Sequence, residues 1–294
     1  STCGCHKRPT MGKRKVLVTG AGGQLGGAIC AEFSDEALIP LTHEDLDLVD
    51  HGNLLRAITA HNPVIIINCA GYNRVDDAEN NAEMALAVNA FGVRSLARAA
   101  TDVGAIFVHY STDFVFDGVA TVPYTEHDEA SPRSVYGASK LIGEWFANDI
   151  MGTYILRVES LFGGVPARSS IDQIIDAVVS GREASVFMDR VVSPSYVHDV
   201  ARATRSLIDT QAPVGLYHCV NTGHATWLHL AEEITRQLRS TTSLRPISVT
   251  NLSLPAVRPV FCALSNTKLA EAGFTMPSWQ DALTRHLASR GQAS

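Results

Sequence analysis

The stretch Lys13-Arg14-Lys15-Val16-Leu17-Val18-Thr19-Gly20-Ala21-Gly22-Gly23-Gln24-Leu25-Gly26 constrains this chain more than any other. A short apolar run meets a glycine turn, and the turn leads into residues of helical character. Glycine is favoured where the backbone takes positive φ or must approach a ligand closely. A helix opening from such a turn presents unpaired N–H groups and partial positive charge, so a diphosphate can sit there. Glycines at 20, 23 and 26, with another at 22, fit a dinucleotide-binding turn. A purely structural glycine turn has the same local appearance, so residues elsewhere must discriminate.

Downstream, strand and helix patterns alternate. Helical character over Gln24–Ser34 precedes a strand at Ala37–Leu41, a helix at Gly52–His61 and a strand at Val64–Asn68. The last is an uninterrupted β-branched run, as expected of a strand covered on both faces. Apolar spacing predicts one long helix over Glu79–Val103, then a strand at Ala105–Tyr110, a helix to about Asn148 and a strand at Tyr154–Val158. The alternation predicts an α/β fold, a doubly wound parallel sheet of Rossmann type with a smaller mixed α/β C-terminal substrate region. That region carries helical patterns at Ile171–Ser180, Val197–Asp209, Thr226–Arg239, Ser265–Ala272 and Ser278–Ala288, with short strands near 185–188, 216–219 and 247–250. It is expected to lie over the carboxyl edge of the sheet, where open α/β folds bind ligands. The expected organisation is a tail at 1–12, for which disorder is one reading, a dinucleotide core at 13–160 to which later segments return, and a mainly substrate-binding region at 161–294.

With 294 residues, 46% hydrophobic content and a net charge of −6, the chain reads as a soluble globular protein. Nothing in that balance calls for a nucleic-acid partner, and a solvated tail accounts for the basic cluster at Lys7, Arg8, Lys13, Arg14 and Lys15. No apolar run approaches the roughly 18 residues of a membrane span, and no signal-peptide core is evident, so no membrane association and a cytoplasmic location are expected. Of six cysteines, Cys30, Cys69, Cys219 and Cys262 sit in apolar contexts. Cys3-Gly4-Cys5-His6 lacks the second ligand pair of a zinc site, so no metal is expected.

A dinucleotide's adenosine ribose should lie over the end of the second strand. There Asp47 and Leu48 can flank the adenosine, while His43 and Glu44 point to opposite cofactor choices. Small residues in Cys69-Ala70-Gly71 let a backbone pass close to a ligand. Tyr136 and Lys140 are spaced to share one face of a helix. A phenol of ordinary pKa near ~10 is a poor acid–base group at neutral pH; a nearby ammonium favours its ionised form. Ser111-Thr112 directly follows a strand pattern, where a hydroxyl can bond a substrate oxygen. Glycine turn, strand-end hydroxyl and Tyr/Lys pair together make an apparatus for hydride transfer at a carbinol or ketone. Asn89, within the long helical pattern, either braces a neighbouring strand or faces solvent.

These residues, from about Lys15 to Ala288, resemble the extended short-chain dehydrogenase/reductases, and within them the dTDP-4-dehydrorhamnose reductases. The resemblance is carried by Thr19-Gly20-x-x-Gly23-Gln24-Leu25-Gly26, Asn68-Cys69-Ala70-Gly71-Tyr72-Asn73-Arg74-Val75-Asp76-Asp77-Ala78-Glu79 and Val88-Asn89-Ala90. It continues in Tyr110-Ser111-Thr112-Asp113-Phe114-Val115-Phe116-Asp117-Gly118, Pro123-Tyr124-Thr125-Glu126, Tyr136-Gly137-x-x-Lys140-x-x-Gly143-Glu144, Arg258-Pro259 and Leu264-Ser265-Asn266-x-Lys268-Leu269. It implies reduction of the C4 ketone of a nucleotide-diphosphate 4-keto-6-deoxyhexose, with NADPH and often NADH as donor. By the same resemblance Tyr136 protonates the developing alkoxide, and Lys140 holds the nicotinamide ribose and lowers the tyrosine's pKa. Thr112 bonds the keto oxygen and Asp113 a sugar hydroxyl. Gly23, Gln24 and Leu25 line the diphosphate, Asp47 and Leu48 the adenosine, and Ala70, Gly71 and Tyr110 the inner cofactor, with Gly20 and Gly26 also cofactor-binding.

Three departures fall where the sugar should sit. Arg157-Val158-Glu159-Ser160-Leu161 replaces the family's Arg-Thr-Ser-Trp, putting an aliphatic side chain beside an acid where an aromatic platform is usual. Asp189-Arg190-Val191-Val192-Ser193-Pro194-Ser195 replaces Asp-Gln-x-Gly-x-Pro-Thr, and the Gly163–Ser170 segment is short. Leu161 and Arg258 are the candidate sugar and diphosphate contacts, with Arg190 a second cation. The nucleotide sugar itself is left open, as is a homodimer. Two alternatives share the fold: an epimerase or dehydratase, whose Asp-Glu pair is missing at Asp113-Phe114, and a non-catalytic subunit resembling the β subunit of methionine adenosyltransferase.

Overall fold

The computed structural model describes residues 12–291. The tail and the Cys3-Cys5-His6 group thus lie outside the described residues, apart from Gly12. The central sheet has six parallel strands: β1 (Lys15–Thr19), β2 (Ala37–Leu41), β3 (Ile65–Asn68), β4 (Ile106–Thr112), β5 (Thr153–Val158) and β6 (Gly215–His218). Their order is β6-β5-β4-β3-β1-β2, so the chain reverses its direction of travel across the sheet between β1 and β3. A crevice opens at the carboxyl ends of the strands at such a switch point.

Helix α1 (Gln24–Glu32) packs against α6 (Val197–Asp209) on one face of the sheet. Helices α2 (His51–His61), α3 (Val93–Val103) and α4 (Val135–Asn148) cover the other. Strand periodicity sorts the core accordingly: Val16, Val18, Ile65 and Ile67 join the α1/α6 side, while Leu17 and Ile66 join the side of α2 and α3. The β-branched run of β3 is therefore apolar at every position because both faces are covered. A second core lies in the C-terminal region, built around α5 (Ser170–Val179), α7 (Trp227–Gln237) and α8 (Trp279–Ser289) with Phe162, Trp227 and Trp279 inside.

The predicted long helix over Glu79–Val103 is instead composite. Short helices at Val75–Ala78 and Ala82–Leu86 lead into a π-turn at Ala87–Gly92, and only then does α3 begin. Asn89 accounts for the local demand: it is buried, its Oδ1 accepts from Tyr72 N–H at 2.8 Å, and its Nδ2 donates to Tyr72 O and Ser139 Oγ at 3.0 Å each. Of its two readings, bracing holds, although what it braces is the 70–73 loop against α4. The strand expected near 216–219 becomes β6, which pairs with β5 at the edge of the main sheet. Among the described residues no helix is long and apolar enough to cross a membrane.

Candidate active site

Three glycines of the turn meet different demands. Gly20 has φ +67°, and a Cβ there would lie 2.6 Å from Ala70 N. A Cβ on Gly26 would overlap the Gly20 carbonyl. Gly23 differs: its φ is −85°, and the nearest atom to a Cβ there is Gly20 O at 3.4 Å. The protein's own packing thus does not exclude a side chain at 23. Helix α1 starts without a side-chain cap and without an acid in its first turn, so its N–H groups stay available to an anion. Gln24 Nε2 donates to Gly163 O at 3.0 Å, tying this helix end to the loop after β5.

Beneath the turn, Thr19 Oγ1 donates to Asn68 Oδ1 at 2.7 Å, and the same oxygen accepts from Ala70 N–H at 3.2 Å. Asn68 Nδ2 lies 3.1 Å from His109 Nδ1, and burial holds that imidazole well below its ordinary pKa, hence neutral. This network links the carboxyl ends of β1 and β3 to the middle of β4.

Two adjoining cavities follow the switch point. The larger, about 640 Å³, is lined by Gly20, Gly23, Asp47, Leu48, Ala70 and Gly71 among others. The second, about 340 Å³, shares Gly23, Ala70 and Gly71 and adds Gln24, Leu25, Gly26, Tyr110, Thr112, Asp113, Tyr136, Lys140 and Leu161. Tyr110 contributes its backbone here, since its hydroxyl bonds Thr204 Oγ1 at 2.6 Å on the α6 side. Beyond Asp113 and Leu161 a further cavity with Arg168 leads to one lined by Phe187, Arg190 and Trp227. Arg258 lines none of these four; it pairs with Asp76 at 2.7 Å.

Ser134 caps α4, its Oγ accepting from Gly137 N–H at 3.1 Å, so that Tyr136 falls in the first turn. A Cβ on Gly137 would overlap the Phe114 carbonyl, so the helix rides directly on the 113–115 turn and delivers Tyr136 beside Thr112. Phe114 packs edge-on against the Tyr136 ring at 5.5 Å. Thr112 ends β4, with its hydroxyl donating to Asp113 Oδ1 at 3.0 Å.

Burial raises the Tyr136 pKa, the Asp113 charge raises it further, and the Thr112 hydroxyl opposes both. Burial likewise pushes Lys140 down to about 8, against the Glu144 charge. The expected lowering of the tyrosine by Lys140 is therefore not found; burial and the Asp113 charge set the direction instead. The ammonium donates to Tyr110 O at 2.6 Å instead, and desolvation disfavours the charged form of each group.

Sequence patterns also passed over a second constellation. Asp113, Glu159 and Cys262 are all buried, and each offers an atom within 4.8 Å of the others. Arg190 stands beside them, 3.9 Å from Asp113 Oδ2. Glu159 was visible as an acid near the sugar end, but three distant segments build this group and no local spacing reports it.

Comparison with known proteins adds independent findings. A family model described as the RmlD substrate binding domain matches residues 14–291. The dTDP-4-dehydrorhamnose reductase of Streptomyces griseus is 34% identical over 279 residues, 91% of each chain. The spore coat polysaccharide biosynthesis protein SpsK of Bacillus subtilis (strain 168) is 31% identical over 282 residues, 95% of this chain and 99% of its own. The crystal structure of dTDP-4-dehydrorhamnose reductase from Bacillus anthracis str. Ames in complex with NADP superposes with a TM-score of 0.90 at 33% identity, covering 94% of this chain and 99% of that one. Agreement over nearly the whole length, in sequence and in backbone alike, leaves one conclusion: the chain belongs to the RmlD substrate-binding domain family, which it shares with the dTDP-4-dehydrorhamnose reductases.

Proposed function

We propose that the chain reduces the C4 ketone of a nucleotide-diphosphate 4-keto-6-deoxyhexose in deoxysugar biosynthesis, with NADPH as donor and NADH also accepted. The carrying observation is that Thr112, Tyr136 and Lys140 all line one cavity, and that cavity joins the groove at the glycine turn. The open space beside Gly23 and the uncapped start of α1 fit a dinucleotide's diphosphate. Gly20, Gly23, Gln24, Leu25 and Gly26 would hold that diphosphate, Asp47 and Leu48 the adenosine, and Ala70, Gly71, Tyr110 and Lys140 the nicotinamide end.

When bound, the nicotinamide supplies the hydride. The chain's own part is to place and protonate the ketone. The Tyr136 phenol and, on turning from Asp113 Oδ1, the Thr112 hydroxyl both address the keto oxygen, and Tyr136 gives its proton as that oxygen gains charge. The raised pKa keeps Tyr136 protonated, the form such a step requires. Asp113 takes a sugar hydroxyl and Leu161 an apolar face of the ring. The outer cavities suit the remainder of the substrate, with Arg168 and Arg190 towards the diphosphate and Trp227 towards the base; Arg258, held by Asp76, acts on that region through Phe114, whose ring it overlies at 6.0 Å. Residues 13–160 thus chiefly serve the dinucleotide and 161–294 the sugar nucleotide. A cytoplasmic location and a homodimer belong to the same proposal, the latter measurable by light scattering.

The test is to incubate the protein with NADPH and dTDP-4-keto-6-deoxyglucose, with and without a 3,5-epimerase, and to follow absorbance of the reduced cofactor. Consumption that falls by about 10²-fold or more in Tyr136→Phe supports the reaction. Ordinary dinucleotide binding with no consumption of any 4-keto sugar refutes it.

A further inference from the structure

Asp113 follows β4, Glu159 follows β5, and Cys262 lies in the segment hydrogen-bonded to Val191. Asp113 and Glu159 are 3% and 2% exposed. Each carboxyl has one oxygen accounted for: Asp113 Oδ1 accepts from Thr112 at 3.0 Å, and Glu159 Oε2 accepts from Ser193 N–H at 2.6 Å. The other oxygens, Asp113 Oδ2 and Glu159 Oε1, have no hydrogen-bond donor among the described residues. Two buried acceptors without donors, on carboxyls of a cluster whose ligand atoms lie within 4.8 Å of one another, are costly. Arg190 brings a single positive charge, and its Nε is committed to Pro259 O at 3.2 Å. The Cys262 thiol is a weak donor that bonds Pro259 O at 3.2 Å. With both carboxyls ionised, the cluster would carry an uncompensated buried negative charge.

We propose that Asp113 and Glu159 share one proton, carried on Glu159 and donated towards Asp113, and that this makes Glu159 a positioning residue for the Thr112–Asp113 end of the site. One proton on the two carboxyls leaves one negative charge facing the one guanidinium, 3.9 Å from Asp113 Oδ2. Carboxyls brought this close do not both ionise. Burial and the Asp113 charge both push Glu159 well above the usual carboxylate range, against the opposing pull of Ser193 N–H and Arg190. Asp113 is raised as well, burial outweighing Arg190, the Thr112 hydroxyl and the weak pull of the Cys262 thiol.

The pair matters to Tyr136, whose proton Asp113's charge already holds more tightly. A second ionisation would strengthen that hold and release Asp113 from its position against Thr112. The charged and titratable groups facing Glu159 are Asp113 from β4, Arg190 and Cys262, with Tyr136 of α4 beyond Asp113. The guanidinium beside Asp113 is the reason to read the trio as a shared proton and not as a cation site. The shared proton is independent of the substrate; its effect on turnover rests on the reductase reading.

Infrared difference spectra of the full chain at neutral pH, wild type against Glu159→Gln, test the pair directly. The expected result is a protonated-carboxyl carbonyl band in wild type that the variant lacks and that Asp113→Asn shifts; absence of the band overturns the proposal. In kinetics, Glu159→Gln keeps a donor that cannot ionise. It should hold kcat within about threefold of wild type at neutral pH and retain more of it on the alkaline side. Glu159→Leu, with no donor, should lose about tenfold or more in kcat with dinucleotide affinity unchanged. The Lys140 limb is common to all three proteins, so their difference reads the pair. Superimposed pH profiles, equal losses in the Gln and Leu variants, or stoichiometric Zn²⁺ or Mn²⁺ binding by calorimetry that Glu159→Gln abolishes would each overturn the proposal. Failure of wild type to reduce any 4-keto sugar refutes the reductase reading instead, and the infrared band then decides the pair alone.

Discussion

Lys140 Nζ donates to the Tyr110 carbonyl at 2.6 Å, from one helical turn beyond Tyr136 and from complete burial. The ammonium therefore bridges α4 to β4, and burial lowers its pKa to about 8.

Activity and stability should consequently respond to alkali in opposite directions. Turnover that needs the ammonium falls as pH rises through about 8. The unfolded chain keeps its lysine protonated to about 10.4. Between those values the unfolded state binds more protons, so this group's contribution to stability rises with pH there and is lost as pH falls through about 8. Urea midpoints of wild type minus Lys140→Met, measured from pH 7 to 10, should increase while kcat declines. A flat difference would show that Lys140 titrates normally.

The glycine turn separates packing from ligand approach. Gly26→Ala forces a Cβ onto the Gly20 carbonyl and should destabilise by about 2 kcal/mol or more in urea unfolding. Gly23→Ala meets its nearest atom at 3.4 Å, with φ −85°, and should stay within about 1 kcal/mol of wild type. The same Gly23→Ala should weaken NADPH binding by about tenfold or more in fluorescence titration, because the added methyl occupies the approach to α1. Equal affinity would remove Gly23 from the dinucleotide site.

Much of the fold was legible because its signals are local. The β-branched run at 65–68 reports burial on both faces, and the Tyr136/Lys140 spacing reports a shared helix face whatever lies around it. The π-turn at Ala87–Gly92 was not legible: the apolar period continues through it, and Tyr72 and Ser139, distant in sequence, provide the partners that fix Asn89. β6 was visible as a strand but not as a neighbour of β5, since residue pattern alone assigns no partner. The direction of the Tyr136 shift also escaped the sequence, because a spacing of four residues names a neighbour without revealing where its ammonium points or how dry the site is.

Arg157 of β5 and Glu144 of α4 form a buried bidentate pair, at 2.8 and 2.7 Å. Removing one partner leaves the other charge buried, so Arg157→Met and Glu144→Gln should each cost about 3–5 kcal/mol in urea unfolding. The double variant should cost less than the sum of the singles. Glu144 also supports the charge on Lys140, so Glu144→Gln should move the alkaline limb of kcat to lower pH. An additive double variant with an unmoved limb would make this pair independent of the site.

Asn89 provides the link between α4 and the loop that lines both inner cavities. It makes three hydrogen bonds from a fully buried position, two to Tyr72 backbone groups and one to Ser139 on the helix that carries Tyr136. Asn89→Ala leaves Tyr72 N–H without an acceptor, at a cost of about 1–3 kcal/mol. Because Ala70 and Gly71 line both cavities, the loosened loop should raise the Kd for NADPH by about threefold to tenfold. Hydrogen exchange should localise the change to residues 70–73 and the start of α4, while Tyr136 keeps its burial. Asn89→Asp retains the acceptor for Tyr72 N–H but gives up the donor to Tyr72 O and Ser139, so it should recover only part of the affinity. Full recovery by Asp would show that the contact to the helix is dispensable and that the acceptor alone positions the loop.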